Sequence, residues 1–390
     1  MTKTQAENID FTFRMLYVLA ILMIVDGHIG SFDYLSFNGL FPYQNYHIAL
    51  FVFVSGYFIN LKRTYKEFIT YKFMKLIVPL YVWNFIYGLI VFCLNKYNGF
   101  NLGGEFSLYN LLYAPIADGH QFIYNMGSWF IVPLFGVQLI GFCILKPLNE
   151  EKNAYPSSFI ILFFLLSCLL GFVTIQAAPE NLGERNIALT GFRIFYFLPF
   201  YALGVLYRFQ LKKYDTLNSI AYFFIIIAAT VFLRINFPDC DIIPAWLDVV
   251  NAPATIIFAI GFLAVFFWLR IAKISAPVLK ASPTLTYLST HTFDIMMHHF
   301  TGFMLVKAAL SPLGNFDAVS FKNNIWYYHF PFNENFIAPV YIFITIVIAL
   351  FTGFTSRKIY RILYNIKNVR QTFQKGSLDY EKQSKRSFND

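Results

Sequence analysis

Charge is scarce in this sequence. Asp, Glu, Lys and Arg make up 13 % of the 390 residues, about half their share in a soluble domain. That excludes an ordinary soluble fold for most of the chain. Cysteine is scarce too, with four in all. Cys93, Cys143 and Cys168 sit in apolar runs and Cys240 stands alone in a loop, which excludes a disulfide framework and leaves them as small apolar filler. No small-residue cleavage site separates "MTKTQAENID" from the first apolar run, so that run is expected to be a retained helix and not a signal peptide. There is no Gly-rich phosphate loop after a strand and no G-x-S-x-G elbow. No His or Cys spacing suggests metal ligation, and no metal or resident cofactor is expected. Internal repeats are not evident.

What fills the chain instead is apolar and aromatic: 57 % hydrophobic residues, 20 % of all residues being Phe, Trp or Tyr. They recur in blocks of about 20, the length that spans a bilayer core as a helix. A buried soluble core accounts for one such block and not for all of them. The expectation is an all-α, polytopic membrane protein of about ten helices. They fall near 11–30, 45–61, 76–95, 128–146, 157–177, 187–207, 218–234, 248–269, 286–309 and 336–356. Residues 1–10 precede this domain, which extends over 11–356, and a polar tail, expected to be partly disordered, follows over 357–390.

Basic residues orient the helices. With the N-terminus in the cytoplasm, every even-numbered loop is basic. All 30 Lys and Arg residues then fall inside except Lys96, Arg185, Arg193, Arg234, Lys307 and Lys322. Both termini are therefore expected to be cytoplasmic. The net charge of +9 needs no nucleic-acid partner. The longest outer loops, 96–127 and 310–335, are rich in Asn, Gly, Tyr and Phe; they suit either a sugar-facing surface or an aromatic belt.

Several ionisable groups fall at one depth. "YVLAILMIVDGHIG" carries Asp26 and His28 at the far end of helix 1. His28 lies fourteen residues beyond Arg14, about 21 Å along a helix. His298 and His299 lie roughly 18–20 Å along helix 9 if that helix runs unbroken from Thr286. Asp294 is one turn earlier. Arg193, His47 and Trp129 enter from the outer side on helices 6, 2 and 4. Ionisable residues at a common depth mark a shared cavity. Each also has a plain alternative: His28 as an interfacial residue, Arg193 as a snorkelling cation, Trp129 as an interface anchor. Adjacent residues point about 100° apart on a helix, so only one of His298 and His299 faces such a cavity. His47 and His120 are expected at the surface.

The stretch from Tyr17 to Gly30, then "HIALFVFVSGYFINLKRTYKEFITYKFMKLIVPLYVWNF", "GSWFIVPLFG", "FYFLPFYALGVLYR" and "SPTLTYLSTHTFDIMMHHF", resembles the membrane acyltransferase-3 family, in order and across nearly the whole membrane region. Its flavour is that of the fucose O-acetylase-like subgroup. The resemblance implies transfer of an acyl group, most readily acetyl, from acyl-CoA to a hydroxyl of a surface polysaccharide or lipid-linked sugar in the bacterial cytoplasmic membrane. One departure stands out: Tyr17 occupies the place of the family's usual cation, eleven residues before His28, and Arg14 is the stand-in one turn earlier.

Such chemistry needs a base for the attacking hydroxyl, a task suited to histidine. His28 fits it, with Asp294 to orient a ring and Arg193, Ser55, Trp129 and a second histidine as candidate oxyanion donors. Lys72 and Lys75, with Arg14, are expected to meet the donor's phosphates. Another reading of the same residues is a carrier or exporter of a polysaccharide or lipid-linked intermediate. It predicts paired broken helices in matching halves, which the sequence does not display.

Overall fold

The computed structural model describes residues 10–29, 39–41, 43–99, 102–117, 119–152, 157–178, 186–249, 252–310 and 338–358. The expected disordered tail beyond 358, most of the outer loop at 310–335 with Lys322 and His329, and Arg185 lie outside these residues.

The described chain is a helical bundle. Its elements are α1 (Phe11–Gly27), α2 (His47–Tyr57), α3 (Tyr65–Lys72), α4 (Val78–Asn98), the short α5 (Ala114–Ala117), α6 (Ile131–Lys152), α7 (Ser157–Ala177), α8 (Ile187–Leu206), α9 (Ser219–Asn236), α10 (Ala254–Ala281), α11 (Pro283–Thr290) and α12 (Thr292–Leu310). A last helix, α13, covers Ala338–Lys358. Among the described residues, seven helices are long and apolar enough to cross a membrane. Three of the ten expected spans are not among them: α1, α2 and α12. The reasons are length and polarity. α1 and α2 have only 17 and 11 residues, and α12 carries Asp294, His298, His299 and Lys307. α1 is also enclosed, with nine of its residues buried on every face, whereas α9 buries only Ile226 and Thr230. α1 and α12 bring the histidine pair together.

Local chemistry explains where the boundaries moved. Thr64 and Glu67 form a capping box, so the third span starts at Tyr65 and not near residue 76, and Lys66, Lys72 and Lys75 lie on helix. A π-helical turn, Phe73–Ile77, joins α3 to α4. The fourth span opens with a 3-10 segment at Ile123–Phe130 before α6. The eighth starts at Ala254, because residues 242–249 form a two-residue hairpin pairing Ile242 with Val249 and Ile243 with Asp248. The expected ninth helix is broken. Ser282 caps α11 through Leu285 N–H with Pro283 in the first turn, and α11 ends at His291, whose Nδ1 bonds the Tyr287 carbonyl at 2.8 Å.

Two sets of hydrogen bonds tie the ends of the bundle and fix its antiparallel order. At one end, Lys212 bonds Asp10 and the Tyr57 hydroxyl. Arg208 donates to the carbonyls of Tyr57 and Ile59, Lys146 to that of Leu61, and Arg270 pairs with Asp215. At the other end, Asn45 clamps the hairpin strand, donating to the Cys240 carbonyl at 2.8 Å and accepting from Ile242 N–H at 3.0 Å. There too Thr190 donates to the Ile116 carbonyl. The first end is the basic one. The core between them is tight: α2 and α8 pack backbone to backbone, Gly56 against the Tyr201 carbonyl and Gly204 against the Phe53 carbonyl.

Candidate active site

Helix α1 ends at the residues the sequence singles out. Its C-cap is His28, so the imidazole sits where the helix stops and not within it. The ring stacks on His299 of α12, centroids 5.2 Å apart and planes 25° apart, with Phe300 beside it at 4.8 Å. His299 is fully buried. Its Nδ1 lies 3.0 and 2.8 Å from the carbonyl oxygens of Ile295 and Met296. Carbonyls only accept, so Nδ1 carries the proton. The neutral ring then keeps its lone pair on Nε2, which is buried and has no hydrogen-bond partner among the described residues. Gly127, in the 3-10 segment before α6, closes over this ring: a Cβ there would lie 2.9 Å from His299 Cε1.

His298 diverges from its neighbour, as helical spacing requires. Its Nδ1 meets the Tyr87 hydroxyl of α4 at 2.6 Å, and its ring stands edge-on to Trp83 at 4.3 Å. Tyr87 also accepts from Thr301 at 3.1 Å. Behind it Asn84, Asn110, Gln121 and Asn125 form a buried amide cluster, in which the Asn84 side chain donates to the carbonyls of Asn110 and Leu111 and accepts from Gln121 and Asn125. None of Trp83, Tyr87 or these amides is singled out by sequence reasoning. The only available signal is a row of amides in segments otherwise apolar.

Other expected site residues are placed differently. Asp294 does not sit against a histidine; its carboxylate pairs with Arg357 of α13, because the break at His291 puts it in the first turn of α12. Arg193 is fully buried and is no snorkelling cation. It donates from Nε, at 3.0 Å, and from Nη2 to the Ala245 carbonyl of the hairpin, with its guanidinium 4.6 Å from the Trp129 ring centre. Trp129 is buried as well and so is not an exposed anchor. Ser55 accepts from Gln138 of α6 at 2.6 Å. Tyr17 packs on Phe51, ring centres 5.3 Å apart. His47 is buried and not at the surface, and half-buried His120 lies between Trp129, 6.2 Å away, and Trp246, 4.4 Å away.

Asp26 lies two residues before His28, near the end of α1. It is buried and helps line an apolar cleft of about 420 Å³ between α1, α11 and α13, with Leu22, Leu288, Ile342 and Ile346. At the basic end, three cations converge on one ring: Arg63, Lys75 and Lys72 lie 3.7, 4.9 and 6.0 Å from the centre of Tyr71. No carboxylate pairs with Lys72 or Lys75 among the described residues. Arg14 lies in the first turn of α1, and its guanidinium likewise has no ion pair among them.

The fold and site define a multi-pass membrane protein whose interior helices bring two histidines into contact near the end opposite its basic face. The family model for an acyltransferase domain, that of the acyltransferase-3 family, matches residues 15–354, and the chain belongs to that family. It is an acyltransferase. No curated protein and no solved structure matches it.

Proposed function

We propose that the chain transfers an acyl group, acetyl above all, from acyl-CoA to a hydroxyl of a cell-surface polysaccharide or lipid-linked sugar, in the bacterial cytoplasmic membrane. The observation that carries this reading is the histidine pair, with His299 Nε2 held as an open acceptor beside His28. A sugar hydroxyl entering from the outer side gives its proton to the pair as its oxygen attacks the thioester carbon. The tetrahedral oxyanion then collapses, the carbon–sulfur bond breaks, and the imidazolium returns the proton to the leaving thiolate. Ester and free CoA thiol are the products. A general base of this kind is worth about 10²–10⁴-fold in rate. His28 and His299 share the role the sequence assigns to His28, and His298, held by Tyr87, braces α12 against α4.

The donor enters at the basic end, which the positive-inside rule puts in the cytoplasm. Arg63, Lys72 and Lys75 around Tyr71 suit the anionic phosphates of CoA, and Arg14 adds a fourth cation on the way to His28. The pantetheine arm is thin enough to thread between helices toward the histidines. Replacing Arg63, Lys72 and Lys75 together by Gln is expected to raise the KM for acetyl-CoA by at least about 10-fold, since each charge-assisted hydrogen bond to a phosphate is worth roughly 1.5–3 kcal/mol, with kcat little changed. Initial rates against acetyl-CoA concentration measure it, and an unchanged KM removes the trio from the donor site.

The reading as a whole is tested in the host. The gene is deleted, and wild type or His28→Ala is returned at matched protein level. NMR of the surface polysaccharide is expected to show O-acyl groups lost on deletion and restored by wild type alone. Unaltered acylation in the deletion strain overturns the proposal.

A further inference from the structure

The hairpin at 242–249 is built at a cost that its size does not explain. Leu247 has φ 55°, and among the described residues no other non-glycine adopts a positive φ. Such strain persists only where the surroundings enforce it. Here they do so from three directions: Asn45 clamps the strand at Cys240 and Ile242, buried Arg193 holds the Ala245 carbonyl, and Trp246 N–H closes the turn on the Ile243 carbonyl at 3.0 Å. The outcome is an alternation. Leu247 turns inward at 5 % exposure while Trp246 stays 36 % exposed, and Asp248, two residues on from Trp246, is exposed as well. One face of the indole is seated on the His120 ring, planes 22° apart. His120 in turn stacks toward Trp129, which lies under the Arg193 guanidinium.

We infer that Trp246, backed by His120, is a stacking platform for a pyranose ring of the acceptor, with Asp248 accepting from its hydroxyls. This deepens the proposed function and rests on it. An exposed indole face offers the flat apolar surface that the C–H face of a sugar needs, and an exposed carboxylate two residues along the same hairpin offers the acceptor that its hydroxyls need. The platform is also linked to the histidine pair through packed side chains. Trp129 lies two residues from Gly127, the residue that closes over His299, within one 3-10 segment, or about 4 Å of rise. Arg193 is then a positioning residue that sets the platform's height through Ala245.

The competing occupant is the lipid headgroup region, with Trp246 as an ordinary interfacial anchor. Charge disfavours it. Asp239 and Asp241 just before the hairpin and Asp248 on it are all exposed, and an acidic loop is repelled by anionic lipid. The same carboxylates predict a neutral or amino sugar over a uronic acid.

Tryptophan emission of the full-length protein in nanodiscs tests this, with Trp246→Phe subtracted to isolate the one indole. The probes are the methyl glycosides of glucose, N-acetylglucosamine, fucose and glucuronic acid. A saturable change with at least one neutral or N-acetylated glycoside, weaker with the glucuronide, is the expected result. Emission unmoved by any glycoside but quenched by brominated phosphatidylcholine overturns the platform and makes Trp246 an anchor. In transfer assays, Trp246→Ala is expected to raise the acceptor KM about 10-fold while kcat and the acetyl-CoA KM hold, with Trp246→Tyr recovering most of the loss. An unchanged acceptor KM in Trp246→Ala also overturns it. Wild-type protein that binds a glycoside but moves no acyl group sinks the acyl-transfer reading and leaves the platform standing.

Discussion

Acyl transfer falls by at least about 100-fold when His299 is replaced by Gln, the lower bound for losing a positioned base, while the protein folds and inserts as before. Glutamine fills nearly the same volume and can still donate to the Ile295 and Met296 carbonyls, so packing under Gly127 survives. What it cannot do is accept and return a proton at the Nε2 position. His28→Gln is expected to give a loss of similar order, because its ring stacks on His299, centroids 5.2 Å apart, and the two share the proton in the proposed transfer. His298→Gln is the internal comparison. Its Nδ1 is already committed to Tyr87, so its loss is expected mainly in stability. Single-turnover rates with acetyl-CoA, at matched protein, make the comparison. Full activity in His299→Gln would remove the pair from the chemistry.

Replacing Gly56 by Val is expected to prevent assembly. A Cβ at Gly56 runs into the Tyr201 carbonyl oxygen of α8, and one at Gly204 into the Phe53 carbonyl of α2. Both obstacles are helical backbone, which no rotamer change can move aside. The helices must separate, and with them the packing of α2 on α8 that is central to the core. Overpacking of this kind costs about 3 kcal/mol or more, against a total stability of about 5–15 kcal/mol. Gly191 of α8 is the control: a Cβ there meets nothing within 4 Å. Gly191→Ala is therefore expected to be neutral or to stabilise by up to about 1 kcal/mol through helix propensity. Thermal unfolding and size-exclusion profiles of the detergent-solubilised variants check both. A monodisperse Gly56→Val protein with the wild-type midpoint would mean that α2 and α8 do not pack backbone to backbone.

The helical class is legible from composition because a bilayer imposes it. Backbone groups in hydrocarbon must bond within their own segment, so long apolar runs of low charge leave little else to form. The boundaries are less legible where side chains compete with that rule. Thr64 and Glu67 start α3 early by capping it, and His291 ends α11 by taking up its own last-turn carbonyl. The break at His291 invalidates a depth measured along an unbroken helix, yet His299 still meets His28. The contact of His28 with His299 reflects the cost of placing each ionisable group alone in hydrocarbon, a cost that spacing along one helix does not capture.

The sequence by itself determined a membrane-embedded helical chain, the alternation of basic and non-basic loops, and the family, because these follow from one-dimensional patterns of polarity and motif order. The tertiary structure alone decided which histidine meets His28, that Asp294 belongs to Arg357, that Arg193 holds a hairpin carbonyl, and that His120 and Trp246 stack. Each of these is a choice among partners far apart in the chain. Such choices are set by which helix faces fit together and which buried donors find acceptors, and no local pattern of residues encodes them.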